Sequence, residues 1–139
     1  GEPEDFVVFG GEIALPEEVT GTVIAGLAYE GMWKSTKLAY AARMGTALFR
    51  RKKITGLGLL LHKTHQRGVQ FGQDFDTMNY LPLMIEETDV RFDHMHESLD
   101  FDVVAVPGSW STDARLCLKF QAPCPATVLA LAVEVETHG

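Results

Sequence analysis

Four consecutive basic side chains, residues 50–53, are the group in this sequence with the most evident capacity for binding. They are a third of the 12 Lys and Arg residues, and they directly precede a strongly apolar segment at residues 54–61. A nucleic-acid groove would need further basic and aromatic residues nearby. Guanidinium groups also bind the carboxylates of neighbouring proteins. We therefore predict a protein interface formed by Arg50, Arg51, Lys52 and Lys53.

The histidines are the second group that could do chemistry. His62 and His65 are three residues apart, and His94 and His96 would share one face of an extended segment. A metal-dependent hydrolase could use these four side chains if they converged. The sequence contains no HExxH or other named metal motif. Solvated loop histidines are therefore the preferred interpretation, and we predict no metal, no cofactor and no catalytic residue.

Trp110 lies in a turn that begins with Pro107, Gly108 and Ser109. A tryptophan in a turn packs against a hairpin or a neighbouring subunit, and it can also stack on a sugar ring. We predict that Trp110 belongs to the interface behind the basic run. A carbohydrate- or receptor-binding module with a shallow groove around Trp110 and Tyr80 is the alternative.

The composition describes an ordinary globular protein. The chain has 139 residues with 46% hydrophobic and 22% charged residues, which suits one domain with its own core. A net charge of −7 argues against general binding to nucleic acid. No apolar run has the roughly 18 residues that a membrane span needs. We expect a disordered lead at residues 1–5 and one β-rich domain at 6–139, cut from a longer chain.

Short apolar segments separated by turn residues predict the fold class. Leu57, Leu59 and Leu61 alternate with smaller or polar residues, and similar alternation recurs around residues 99–106, 114–121 and 127–136. The pattern predicts a mainly β domain, an antiparallel sandwich or small barrel. At most one short helix is expected, near residues 46–53. The two cysteines, Cys117 and Cys124, are interpreted as free thiols, although a disulfide across a turn stays possible.

Several short motifs occur in an order that resembles a known family. They are Gly26-Leu27-Ala28-Tyr29, Gly45-Thr46, Arg51-Lys52-Lys53-Ile54, Pro107-Gly108-Ser109-Trp110, and the segment from Pro123 to Leu131. In this order they resemble the C-terminal part of the tail tubular (nozzle) proteins of short-tailed bacteriophages and related prophages. The resemblance covers roughly residues 20–136. It departs from the family at Ala28, at Phe49-Arg50 and through residues 73–97.

The resemblance implies a structural protein of the virion tail, made in the bacterial cytoplasm, and not an enzyme. Such proteins form a six-fold tube below the portal and adaptor, and the genome leaves through it. The implied partners are copies of the chain itself and neighbouring tail or adaptor proteins, with no membrane anchor. DNA would pass without specific binding, since an acidic surface repels a duplex.

Overall fold

A computed structural model of the chain describes residues 4–15, 17–23, 25–39, 41–42, 45–85, 88–91 and 93–138. These residues contain one 3-10 turn, Ala47–Phe49, and eleven strands. The strands are β1 (Glu30–Lys34), β2 (Ala41–Ala42), β3 (Gly45–Thr46), β4 (Arg51–His65), β5 (Val69–Gly72), β6 (Asn79–Tyr80), β7 (Met84–Ile85), β8 (Thr88–Asp89), β9 (Met95–Ala105), β10 (Cys117–Gln121) and β11 (Val128–His138).

Two antiparallel sheets make up most of the described structure. One sheet has four strands in the order β1-β10-β5-β6, and the other has three long strands in the order β11-β4-β9. The pairs β2-β3 and β7-β8 are separate two-stranded ribbons. The predicted mainly β, antiparallel fold is confirmed, and within the described ranges the sheets form a sandwich-like arrangement and not a closed barrel.

The core lies between the two sheets. The predicted face of Leu57, Leu59 and Leu61 on β4 is buried, as are Val69 and Phe71 on β5. Both sheets thus contribute apolar side chains to one cluster. The hydrophobic effect favours such burial by about 25 cal/mol per Å² of apolar surface.

A β-bulge at Thr55 changes which side chains of β4 face the core. On the partner strand, Glu134 pairs with Gly56 and the next residue, Val135, pairs with Ile54, so Thr55 is extra. A bulge shifts the side-chain alternation by one residue. Ile54 is therefore buried in addition to Leu57.

The short helix expected near residues 46–53 is a single 3-10 turn. Only Ala47–Phe49 is helical, and Arg51 already begins β4. Arg51 pairs with His138 at the far end of β11. The long ladder thus continues through the basic run, and its cross-strand hydrogen bonds outweigh a helix preference of a few tenths of a kcal/mol per residue.

The first part of the chain is extended and largely without regular structure. We call residues 4–29 the arm; positions 16 and 24 lie outside the described residues. Its described pairing is one bridge between Phe9 and Glu12, closed by Gly10 and Gly11 at positive φ. Of the predicted disordered lead, residues 1–3 lie outside the described structure, and residues 4 and 5 are exposed.

Replacing a core leucine of β4 should cost far more stability than replacing its neighbour. Leu59→Ala is expected to lower the free energy of unfolding by about 2–5 kcal/mol, because it leaves a cavity between the sheets. Leu60→Ala, on the outer face of the same strand, should cost less than about 1 kcal/mol. Urea denaturation of both variants measures the difference, and equal losses would contradict the assignment of the two faces.

Candidate functional site

The four basic residues occupy different environments. Lys52 is fully buried. It shares a side of β4 with Ile54, two residues on, and the bulge at Thr55 turns that side inward. Its ammonium group donates to the carbonyl oxygen of Arg50 at 2.8 Å and to that of Leu48 at 3.1 Å. Burial, followed by the nearby charge of Lys37, lowers the pKa of Lys52. Lys52 thus holds the preceding 3-10 turn, and its side chain is not available to a partner protein.

The structure brings Lys53 and Trp110 together. The Lys53 ammonium lies 5.2 Å from the centre of the Trp110 ring and 3.6 Å from a carboxylate oxygen of Glu136. The turn that carries Trp110 is tied to β4, because backbone hydrogen bonds of 2.7 and 2.8 Å join Lys52 and Ser111. The side chain of Gln73 also donates to the carbonyl of Ser109 at 2.7 Å.

Exposed side chains directly precede Lys52 and Lys53 in the sequence. Arg50 and Arg51 are exposed, and so is Phe49, whose ring lies 5.5 Å from the ammonium of Lys37. We call this surface the basic patch, formed by Lys37, Phe49, Arg50, Arg51 and Lys53. An interface role for Arg50, Arg51, Lys53 and Trp110 stays a prediction.

Two of the four histidines, His65 and His96, are buried, and His96 belongs to a polar network centred on Gln66. The Gln66 side-chain nitrogen donates to the carbonyls of Leu81 and Pro82, so its oxygen faces Nε2 of His96 at 2.5 Å. That arrangement requires His96 to carry its proton on Nε2. The backbone N–H of Gln66 also donates to the backbone carbonyl of His94 at 2.8 Å. This network fixes the end of β4 against the start of β9.

The buried histidines are suited to structure more than to acid–base catalysis. Nδ1 of His65 accepts a hydrogen bond from the Arg67 amide at 3.0 Å, so that nitrogen is unprotonated. Burial lowers the pKa of His65, and Asp93 opposes this shift. Burial, helped by His94 and His65, also lowers the pKa of His96. Both rings are therefore neutral at pH 7, and each has a fixed hydrogen-bond partner.

The histidines do not form the metal centre that the hydrolase alternative requires. His62 and His94 are exposed, while His65 and His96 are buried. Within the part of the chain that the structure describes, no three His, Cys, Asp or Glu side chains are placed to hold a metal ion.

Both cysteines are free thiols, and both are buried. Burial raises the pKa of Cys117 and of Cys124. Because the thiolate is the reactive form, a raised pKa makes these thiols poor nucleophiles at neutral pH. The disulfide that the sequence left open is not formed.

An apolar groove of about 580 Å³ lies away from the aromatic residues chosen from the sequence. The predicted sugar-binding rings are separated: Trp110 lies beside Lys53, and Tyr80 lies on β6 with the Arg67 guanidinium 4.8 Å away. The groove is lined instead by β1, β10 and the start of β11. Among its lining residues are Tyr29, Trp33, Leu118, Phe120, Leu129 and Leu131.

The arm exposes more large apolar side chains than a free surface normally does. Every described residue from 4 to 29 is exposed. Ten of them are large and hydrophobic: Phe6, Val7, Val8, Phe9, Ile13, Leu15, Val19, Val23, Leu27 and Tyr29. The sequence analysis placed residues 6–29 within the β-rich domain and did not predict this surface.

A charge signal could have revealed the arm. Seven of the 19 acidic residues precede Lys34, which is the first basic residue of the chain. Residues 34–139 therefore carry twelve acidic and twelve basic side chains, and the whole net charge of −7 belongs to the first 33 residues. The arm is both acidic and apolar, whereas the remainder is balanced.

Comparisons with known proteins returned no relationship. No protein-family model matches the sequence, and no curated protein matches it. The resemblance to tail nozzle proteins thus stays a prediction.

Within the described ranges, none of the helical structure has the length and apolar character to cross a bilayer.

Charge reversal should lower the free energy of unfolding much more at Lys52 than at Arg51. Lys52→Glu is expected to lower the free energy of unfolding by about 3–5 kcal/mol, because a carboxylate would be buried against two carbonyl oxygens. Arg51→Glu, at an exposed position, should change it by no more than about 0.5 kcal/mol. Thermal and urea denaturation followed by circular dichroism would show this, and a stable Lys52→Glu variant would refute the buried role.

Stability should fall below neutral pH because of His65 and His96. Their pKa values are lowered from 6.5 in the folded chain, so the unfolded chain binds more protons as the pH decreases. The contribution is complete above about pH 6.5 and is lost progressively below it. Urea denaturation between pH 5 and 7.5 should show this slope.

Glutamine variants provide the control for that experiment. The double variant His65→Gln/His96→Gln should have a smaller pH slope than the parent chain. His62→Gln, at an exposed position outside the network, should keep the parent slope. A parent chain with no slope in this range would contradict the buried, neutral state of the two rings.

Proposed function

We propose that this chain is a structural subunit of a bacteriophage tail, of the nozzle type, which acts through protein–protein contacts and not through catalysis. The exposed apolar arm is the observation that carries this proposal. Fully burying a Val, Leu, Ile or Phe side chain contributes about 1.5–3 kcal/mol relative to leaving it exposed. Nine such side chains, with Tyr29, on one extended segment are typical of a surface that a partner covers.

The order of motifs along residues 20–136 supports the choice of a tail protein among structural proteins. The proposed partners are further copies of the chain in a six-fold ring and the adjoining tail or adaptor proteins. The proposed location is the virion, and DNA would pass the assembled ring without sequence-specific contacts. The acidic arm, with no basic residue before Lys34, agrees with a surface that does not retain a duplex.

The groove favours one second candidate, a carbohydrate- or receptor-binding module. Tyr29, Trp33 and Phe120 line it, and aromatic rings in an open groove can stack on sugars. The mainly apolar character of the other lining residues, with few polar groups to bind hydroxyls, makes this the weaker candidate. Glycan-array binding that is lost in Trp33→Ala would support it.

The tail proposal is tested in particles released from cells that encode the chain. We expect mass spectrometry to find its peptides in density-purified particles, at a constant ratio to other tail proteins. Arg50→Glu/Arg51→Glu should reduce incorporation about ten-fold or more, since it reverses two exposed charges of the basic patch. Arg91→Glu, an exposed arginine outside the patch, is the matched control. Particles that lack the chain would refute the proposal.

A further inference from the structure

The apolar groove lies between two strands with open edges. In the described structure β11 pairs with β4 alone, and β1 pairs with β10 alone. Each strand therefore presents a row of backbone groups that no neighbouring strand covers. Trp33 on β1 and Leu131 on β11 line the groove between them.

Apart from a bulge at Leu129, the first half of β11 lacks the features that normally protect an edge strand. Residues 128–133 contain no charged residue and no proline, and the Leu129 side chain is exposed. Natural proteins protect a long edge with charged side chains, prolines, bulges or a covering segment. The bulge lies at one end of this segment, and residues 130–133 keep a continuous register with β4. This edge is thus suited to accept an added strand.

The arm of the same chain has the complementary properties. Residues 6–9 are Phe, Val, Val and Phe, so both faces of an extended segment would be apolar. All four side chains are exposed. Phenylalanine and valine favour strands. Glu4 and Asp5 come directly before them, and the basic patch at Arg51 and Lys53 lies beside the far end of β11.

We propose that residues 6–9 of one copy occupy the groove of a second copy and add a strand to the open edge of β11. Main-chain hydrogen bonds would supply affinity, and the apolar groove would receive alternate side chains. Lys53 of the receiving copy is already paired with Glu136, so the affinity is expected from the backbone and apolar contacts and not from the charges of Glu4 and Asp5. This inference names the partner and the contact, and it rests on the proposed structural function.

Self-association of the full chain tests the arm. The chain is expected to form dimers or larger species as its concentration rises in light-scattering chromatography. Val7→Asp/Phe9→Asp should shift it to monomers at the same concentration, because both side chains are already exposed and the domain stays folded. Val19→Asp introduces the same charge at another exposed arm position and should associate like the parent chain.

Tryptophan fluorescence tests the groove. The chain has two tryptophans, so Trp110→Phe leaves Trp33 as the only one. In a Val7→Asp/Phe9→Asp/Trp110→Phe chain, a peptide of residues 4–12 should shift Trp33 emission to shorter wavelength and bind saturably. The same peptide carrying Val7→Asp and Phe9→Asp should bind at least about ten-fold more weakly.

Three results would overturn the inference. One is a chain that stays monomeric while the peptide leaves Trp33 emission unchanged. Another is a Val7→Asp/Phe9→Asp variant that associates like the parent chain. A third is a parent chain that is monomeric and in which Val7→Asp/Phe9→Asp, without added peptide, exposes Trp33. That result would mean that the arm occupies its own groove. None of these results decides the particle experiment, which tests the proposed function separately. If the chain were absent from particles, the self-association and fluorescence experiments would still decide whether the arm is exchanged between copies.

Discussion

Strand β4 is the element on which the other parts of the structure depend. It pairs with β9 and β11 along most of its length and contributes the leucines that the second sheet covers. Its bulge at Thr55 lets Ile54 and Leu57 face the same core. The same shift turns Lys52 inward, where its ammonium holds the preceding turn. One extra residue in a strand thus decides both the core and the composition of the basic patch.

The polar groups with the most evident chemistry in the sequence have structural roles where they are buried. Lys52 binds backbone carbonyls, and the His65 and His96 rings each have a fixed hydrogen-bond partner. In a low-dielectric interior such groups are costly unless they are satisfied, and once satisfied they specify one arrangement. The exposed apolar surfaces, by contrast, are left open. These are the arm and the groove between β1 and β11.

Charge and exposed apolar surface are distributed unevenly along the chain. The chain from Lys34 onward carries balanced charge, whereas the preceding residues carry all of the net charge, and ten large exposed apolar side chains lie on the arm. Charge balance limits repulsion between the domains of neighbouring copies. Burying an extended arm in a neighbour also gains apolar contact area without rearranging a folded core. This distribution of charge and apolar surface supports the proposed assembly.

The alternation of leucines and the spacing of turns were enough to predict a mainly β fold and the buried face of residues 57–61, because side chains alternate with a period of two in any strand. Alternation alone could not place Lys52, since counting back from Leu57 puts Lys53 inside and Lys52 outside. A bulge is decided by pairing between β4 and β11, which lie far apart in sequence. The groove likewise requires strands from three parts of the chain to meet. Its apolar residues are visible in the sequence, and only the tertiary structure determines which of them stay uncovered.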